Sequence, residues 1–266
     1  MASSIYYKYW ERFIAQWYNG KKDILDWSDP GVPSSCYIPE PWWGNDGTQP
    51  LYSVVVNFNP GSGGPAQKHS SVPYCNSYDR DIVNRIPTKS FTSRTRPKKG
   101  ENKQWPYNTA YWHMNRRAKP ILNNISNTSY YTLENHLSIE LIPWHTDKVD
   151  QCNYVPYLEY NIKAVYEHSI CFAANESKRI DGKLKNVVLL RMSGVFTKNL
   201  LDKLEKKKLV TYTIICKGHV NHGYYLEFSL DKWPGVRFIS IWGKYTRNNF
   251  PVAQMKDIFK VLKILP

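Results

Sequence analysis

Three short segments gather side chains that can hold a polar ligand and move protons on it. The first is Asn57-Phe58-Asn59-Pro60-Gly61-Ser62-Gly63-Gly64-Pro65-Ala66-Gln67, which leaves the apolar run Leu51–Phe58. Pro60 stiffens the turn, Gly61, Gly63 and Gly64 allow a ligand close to the backbone, and Asn59 offers an amide that both donates and accepts. The second, Glu140-Leu141-Ile142-Pro143-Trp144-His145-Thr146, sets a carboxylate and an imidazole at the end of another apolar run. The third, Gly243-Lys244-Tyr245-Thr246-Arg247-Asn248-Asn249-Phe250, carries two cations, two amides and two rings. A fourth group, Gly218-His219-Val220-Asn221-His222, has two imidazoles but no third ligand, so no metal site is expected there.

These segments can cooperate only if secondary structure delivers them to one place. Leu51–Phe58 is β-branched and almost continuously apolar, the pattern of a strand buried on both faces; Leu137–Ile142 is a second buried-strand candidate and Val187–Met192 a short apolar strand. Residues 5–18, Tyr157–Ala174, Phe196–Lys207 and 251–264 have helical spacing, the last with Pro251 at its first position. Strands alternating with helices predict an α/β sheet with parallel strands, whose ligands bind at the carboxyl ends of the strands. Leu209–Cys216, Tyr224–Leu230 and Val236–Trp242 predict three more strands, at least one of them antiparallel. Gly218 and Gly223 are expected to bound one turn and Pro234-Gly235 to mark the next. Asp26–Gln49, rich in proline and glycine, reads as an extended lead-in, and a helix is expected at about 104–122.

Composition narrows the class. The chain has 266 residues, 42% hydrophobic and 15% aromatic, with 22% charged, which excludes global disorder and fibrous repeats and fits one domain spanning 1–266. The five cysteines are scattered without a C-x-x-C pair, so free thiols are expected and neither zinc nor an iron–sulfur cluster is implied. Met1 to Phe13 is amphipathic but interrupted by Lys8, Glu11 and Arg12, unlike a secretory signal, and no apolar run suffices to span a bilayer. A cytoplasmic protein without membrane attachment is the expectation.

The 36 Lys+Arg outnumber the 22 Asp+Glu, for a formal net charge of +14, and the excess is concentrated. Between Arg85 and Lys119 ten cations, Arg94, Arg96, Lys98 and Lys99 among them, face a single acid, Glu101. Phe91, Trp105, Tyr107, Tyr111 and Trp112 are interleaved with them. Cations neutralise phosphates and flat rings receive unstacked bases, so this insert at about 85–119 points to nucleic acid, against the alternative of a solvated surface loop.

The first segment resembles the opening motif of the uracil-DNA glycosylase superfamily, in particular its single-strand-selective monofunctional branch. That pattern is Gly-Met-Asn-Pro-Gly followed by Pro-Phe-Gly-Met-Ala-Gln; here Asn59-Pro60-Gly61, Gly64 and Ala66-Gln67 keep its register. The second segment has Glu140-Leu141-Ile142-Pro143 where the family has Asn-Leu-Cys-Pro, and the third keeps Arg247-Asn248 of His-Pro-Ser-Pro-Arg-Asn but has Gly243 at the catalytic His. The resemblance implies a three-layer α/β/α sandwich with a central, mainly parallel four-stranded sheet, here with an added β-hairpin and the basic insert. It further implies a monomeric, cofactor-free enzyme that flips a nucleotide out of DNA and hydrolyses the bond between base and sugar, leaving an abasic site.

On that resemblance Asn59 orients the attacking water, while Asn57, Phe58, Gly61, Ser62, Gly63, Gln67 and Glu140 surround the base. Lys244, Arg247, Asn248 and Phe250 meet DNA beside the insert, with Arg247 or Phe250 as the wedge that fills the vacated stack. Each departure has a chemical meaning. An amide donates to the carbonyl at the fourth position of uracil, whereas a carboxylate at Glu140 accepts from the amino group of cytosine. Ser62-Gly63 in place of Pro-Phe leaves room for a substituent on the fifth ring carbon, hydroxymethyl or glycosyl, as in the hypermodified cytosines of phage DNA, which would make the activity a defence. With the family's His absent, His145 is the expected stabiliser of the departing base, and Lys244 the next candidate. Two other readings stay open: a nucleic-acid-binding module without catalysis, and uracil repair, which Glu140 disfavours.

Overall fold

The computed structural model describes residues 5–18, 25–28, 41–45, 47, 49–58, 135–144, 154–243 and 252–265. The opening helix α1 (Ile5–Tyr18) buries Tyr7, Trp10 and Phe13 on one stripe and leaves Ile5 exposed. Three strands follow: β1 (Trp42–Gly44), β2 (Ser53–Asn57) and β3 (His136–Glu140). Helix α2 (Tyr154–Ala164) runs through a π-helical turn, Val165–Ile170, into α3 (Cys171–Ser177). Then come β4 (Val187–Leu190), α4 (Gly194–Lys206), β5 (Tyr212–Val220), β6 (Gly223–Leu230), β7 (Arg237–Gly243) and α5 (Val252–Val261).

The fold is α/β, built on a mixed sheet in the order β1-β3-β2-β4-β7-β6-β5. Among the described residues it has seven strands, where four and a hairpin were expected. Neighbours β3, β2, β4 and β7 run parallel, while β1 at one side and β6 and β5 at the other are antiparallel. Every residue of β2, β3 and β4 is buried; β4 and the middle of β2 are accordingly unbroken apolar runs, whereas β3, His-Leu-Ser-Ile-Glu, alternates and buries His136, Ser138 and Glu140 as polar groups. Trp42 to Gly44, inside the segment read as a lead-in, adds a short antiparallel strand to β3; a three-residue strand is too brief to show periodicity. Strand β5 also passes through Gly218 to Val220, and the reversal is the pair Asn221-His222, both at positive φ (45° and 66°). That conformation suits a two-residue hairpin turn whose twist matches its strands.

The helices seal the sheet through specific contacts. Tyr7 of α1 donates to the Asn45 carbonyl (2.9 Å) and meets Trp42 and Phe172 edge-on. Thr197 of α4 shares a hydrogen bond with Ser240 of β7 (2.8 Å), and Ser193 caps α4 by accepting from the Phe196 amide (3.2 Å). Helix α5 lies against the other face of β6: a Cβ at Gly223 would come within 2.6 Å of Gln254. There Glu227 and Arg237 form a two-bond ion pair (2.6 and 3.1 Å), and Arg237 also donates to the Leu262 carbonyl (2.8 Å). Among the described residues no helix is long and apolar enough to cross a membrane, and Cys171 and Cys216 are free thiols.

At the amino ends of β2 and β3, Ser53 and the fully enclosed His136 share a hydrogen bond of 2.7 Å. Burial disfavours the imidazolium and pushes the His136 pKa down to about 3. The unfolded chain therefore binds a proton near pH 6.5 that the folded chain refuses until about pH 3. Stability contributed by neutral His136 is complete above 6.5 and should fall by about 1.4 kcal/mol per pH unit below it. Urea midpoints at pH 7.5, 6 and 5 are expected to show this acid slope, and His136→Asn to flatten it.

Candidate functional site

The parallel strands bring three polar side chains into one row at their carboxyl ends. Asn57, the last residue of β2, lies in register with Glu140, the last of β3. The backbone continues the pairing: Leu141 N–H donates to the Asn57 carbonyl (2.8 Å) and Ile142 N–H to that of Phe58 (3.0 Å). On the other side Arg191, just past β4, donates its N–H to the Val56 carbonyl (2.8 Å). Because side chains alternate along each strand, Glu140, Asn57 and Arg191 share one face while Phe58 points to the other. There Phe58 meets Phe196 of α4 edge-on at 4.7 Å.

Glu140 is 0% exposed, and its Oε1 accepts from the Asn57 amide (3.2 Å). The same amide donates to Ser138 Oγ (2.5 Å), one pleat back on β3. Ser169, on the π-helical turn, donates to the Glu140 and Leu141 carbonyls (3.1 and 3.2 Å) and so fastens that turn to the end of β3. π turns recur at functional sites because they re-aim a side chain without ending the helix.

Arg191 completes the row. It is half-buried, its Nε is enclosed without a hydrogen-bond partner, and burial pushes its pKa down to about 10 while Glu140 pulls it back up. The arrangement is a carboxylate held by an amide, with a guanidinium drawn to it electrostatically. Such a row can recognise a polar planar group or an anion arriving at the strand ends. Arg191 was not among the residues expected to act, although a signal existed: it follows the apolar run Val187–Leu190 directly, so the strand-end rule that singled out three segments applied to this fourth one as well.

Of the residues expected to act, Asn57, Phe58 and Glu140 are described. Asn59, Gly61, Ser62, Gly63, Gln67, His145, Lys244, Arg247, Asn248 and Phe250 lie outside the described residues, as do Arg94, Arg96, Lys98 and Lys99 and the helix expected near 104–122. No described carboxylate or thiol joins His219 and His222 in a three-ligand group. Asp26, Glu167 and His168 do present ligand atoms within 4.8 Å of one another. His168 Nε2 and Asp26 share a hydrogen bond of 2.9 Å beneath the ring of Tyr9, which stacks on the imidazole at 3.5 Å, and burial pushes the His168 pKa down from its ordinary value.

The first turn of α4 borders the strand ends on the Phe58 face. A Cβ at Gly194 would stand 2.6 Å from the Trp242 ring, so only glycine lets the indole lie against the helix. Gly194→Ala is expected to displace the ring and lower stability by about 1–3 kcal/mol, read as a shift in urea midpoint. Set against protein-family models, curated proteins and solved structures, the chain finds no match in any of the three.

Proposed function

We propose that the chain is a monofunctional DNA glycosylase of the uracil-DNA glycosylase type, a three-layer α/β/α sandwich, acting on a cytosine-derived base substituted at its fifth carbon. The observation that carries this reading is the register pair Asn57–Glu140. Two segments separated by more than eighty residues of sequence, the one that opens into Asn59-Pro60-Gly61 and the one that ends in Glu140-Leu141-Ile142-Pro143, leave adjacent parallel strands at the same level. A flipped nucleoside needs that convergence, because its sugar and its base must be met together. The basic, aromatic insert supplies the affinity for the DNA backbone.

The chemistry is a hydrolysis. The bond from the sugar C1′ to the base nitrogen breaks with its electron pair moving to the base, water adds at C1′, and one of the water's protons ends on the base. Asn59 orients the water, Glu140 accepts from the exocyclic amino group of cytosine, and His145 donates to the departing base. Neither a metal nor an organic cofactor enters these steps.

Incubation with DNA carrying uracil, cytosine or cytosines bearing hydroxymethyl or glycosyl groups, followed by alkali, tests the reading. Strand breaks at a modified cytosine alone support it. A retarded gel band without breaks points to a binding module instead, a reading favoured by the complete burial of Glu140 and its engagement with Asn57. Efficient breakage at uracil would assign the chain to uracil repair and overturn the cytosine assignment.

A further inference from the structure

We propose that the ring row His219–Tyr224–Trp242 is a stacking platform for the unpaired bases of single-stranded nucleic acid. The inference rests on nucleic acid as the partner, but not on base release. The row crosses the three strands at the antiparallel side of the sheet: His219 of β5 is the register partner of Tyr224 of β6, which is in turn the partner of Trp242 of β7. Directly opposed residues point to the same face, so the three rings form one line. Tyr224 and Trp242 are nearly parallel, with centroids 5.8 Å apart and planes at 15°. His219 follows at 5.7 Å and 35°.

Rings in a core are enclosed on all sides; these are not. His219 is exposed, and Tyr224 and Trp242 are half-buried. The next pair on the same face, Leu226 and Ser240, is already buried, and the pair after it, Phe228 and Phe238, stacks at 5.3 Å inside the core. Gly194 fixes the inner end of the row by letting Trp242 lie against α4 without a Cβ in the way. The row therefore starts beside the helix that borders the strand ends and runs outward along the hairpin.

Charge selects the occupant. Lys217 is exposed and, two residues before His219, shares its face. None of the side chains that β5, β6 and β7 present to this face is acidic: Glu227, the one carboxylate on the three strands, points the other way, where Arg237 binds it. The carboxylate that α4 brings to this face, Asp202, lies at the far end of β5 beside Tyr212, where Lys198 pairs with it; rings with a cation and no strand carboxylate, on a chain of net charge +14, suit unpaired bases followed by their phosphates. A duplex keeps its bases stacked inside and has nothing to offer these rings.

The test measures affinity for an oligo-dT strand, which carries no cytosine-derived base, and for a duplex of the same length, by fluorescence anisotropy over a salt series. His219→Ala changes an exposed ring and leaves the core intact; Tyr224→Leu keeps the apolar cover but removes the flat face; Tyr224→Phe keeps both. The double change His219→Ala/Tyr224→Leu is expected to weaken oligo-dT binding by about tenfold or more, with the salt slope unchanged and duplex binding within about twofold. Tyr224→Phe is expected to bind as the parent does, and Lys217→Ala to reduce the salt slope by about one phosphate contact. The proposal is overturned if the parent protein does not bind oligo-dT, if the double change leaves its affinity within about twofold, or if duplex affinity falls equally. Absence of alkali-labile sites in modified DNA bears on catalysis alone and leaves this outcome separate.

Discussion

Glu140→Leu is expected to cost about 3–5 kcal/mol of folding stability. The carboxylate is fully enclosed at the end of β3, and two neighbours are arranged around its charge. Asn57 spends an amide N–H on it, and the Arg191 guanidinium, whose Nε is sealed without a partner, depends on it for electrostatic compensation. Leucine fills the volume and removes both functions at once. What remains is a half-buried cation that has lost the one carboxylate pulling on it among the described residues, and an amide donor with one acceptor fewer, and each carries a desolvation cost that folding must then bear.

If the cost arises from the stranded guanidinium, Arg191→Met in the Glu140→Leu background should return most of the loss, because replacing a buried charge pair by apolar residues of similar size is close to neutral. Rescue should stop short of complete, since Asn57 still lacks its acceptor. Glu140→Gln should fall between, keeping a carbonyl for Asn57 while discarding the charge. A double-mutant cycle from urea denaturation reads the coupling directly. Strictly additive losses at 140 and 191 would mean that the two groups do not feel each other.

The same row explains what the sequence disclosed and what it withheld. The strands β2 and β4 were legible because burial on both faces leaves a continuous apolar run that few other structures need, while β3 showed itself only through Leu137, Ile139, Leu141 and Ile142, its alternate residues being polar and buried. Alternation with helices then gave the parallel arrangement. Strand β1 was hidden, because Trp42-Trp43-Gly44 sits among prolines and glycines and its three residues pair with β3 only through tertiary contact. The end of β5 was misjudged for a related reason: Gly218 looked like a turn residue, but its missing Cβ makes room for the Tyr225 side chain, whose hydroxyl lies 2.5 Å from where that carbon would stand. Sequence reports that glycine is needed, and only packing reports why.

At the site, Glu140 was identifiable from its place after an apolar run, but its partner was not. Asn57 was expected to face a ligand; in the structure its amide engages Ser138 and Glu140. Arg191 escaped notice because a cation after a strand is ordinary, and its meaning comes from being one strand away from a buried carboxylate. Register, not composition, turns those three residues into a unit.

Under the proposed function, Asn59→Ala should reduce base release by about a hundredfold or more while leaving DNA affinity within about twofold. An amide is too weak a base to activate water, so its contribution is placement, and loss of placement at a reacting centre costs on that scale. Affinity is supplied elsewhere, chiefly by the cations of the insert at about 85–119, and one neutral side chain removed from the pocket does not alter their number. Asn59→Asp separates placement from proton abstraction: a carboxylate can still accept from water but brings a negative charge beneath a sugar that is becoming cationic. Activity retained in Asn59→Asp with a new acid limb in its pH profile would show that accepting a hydrogen bond is sufficient. If Asn59→Ala instead released base at the parent rate in single-turnover assays, the amide would have no part in the chemistry, and the protein's action on DNA would have to begin from another residue.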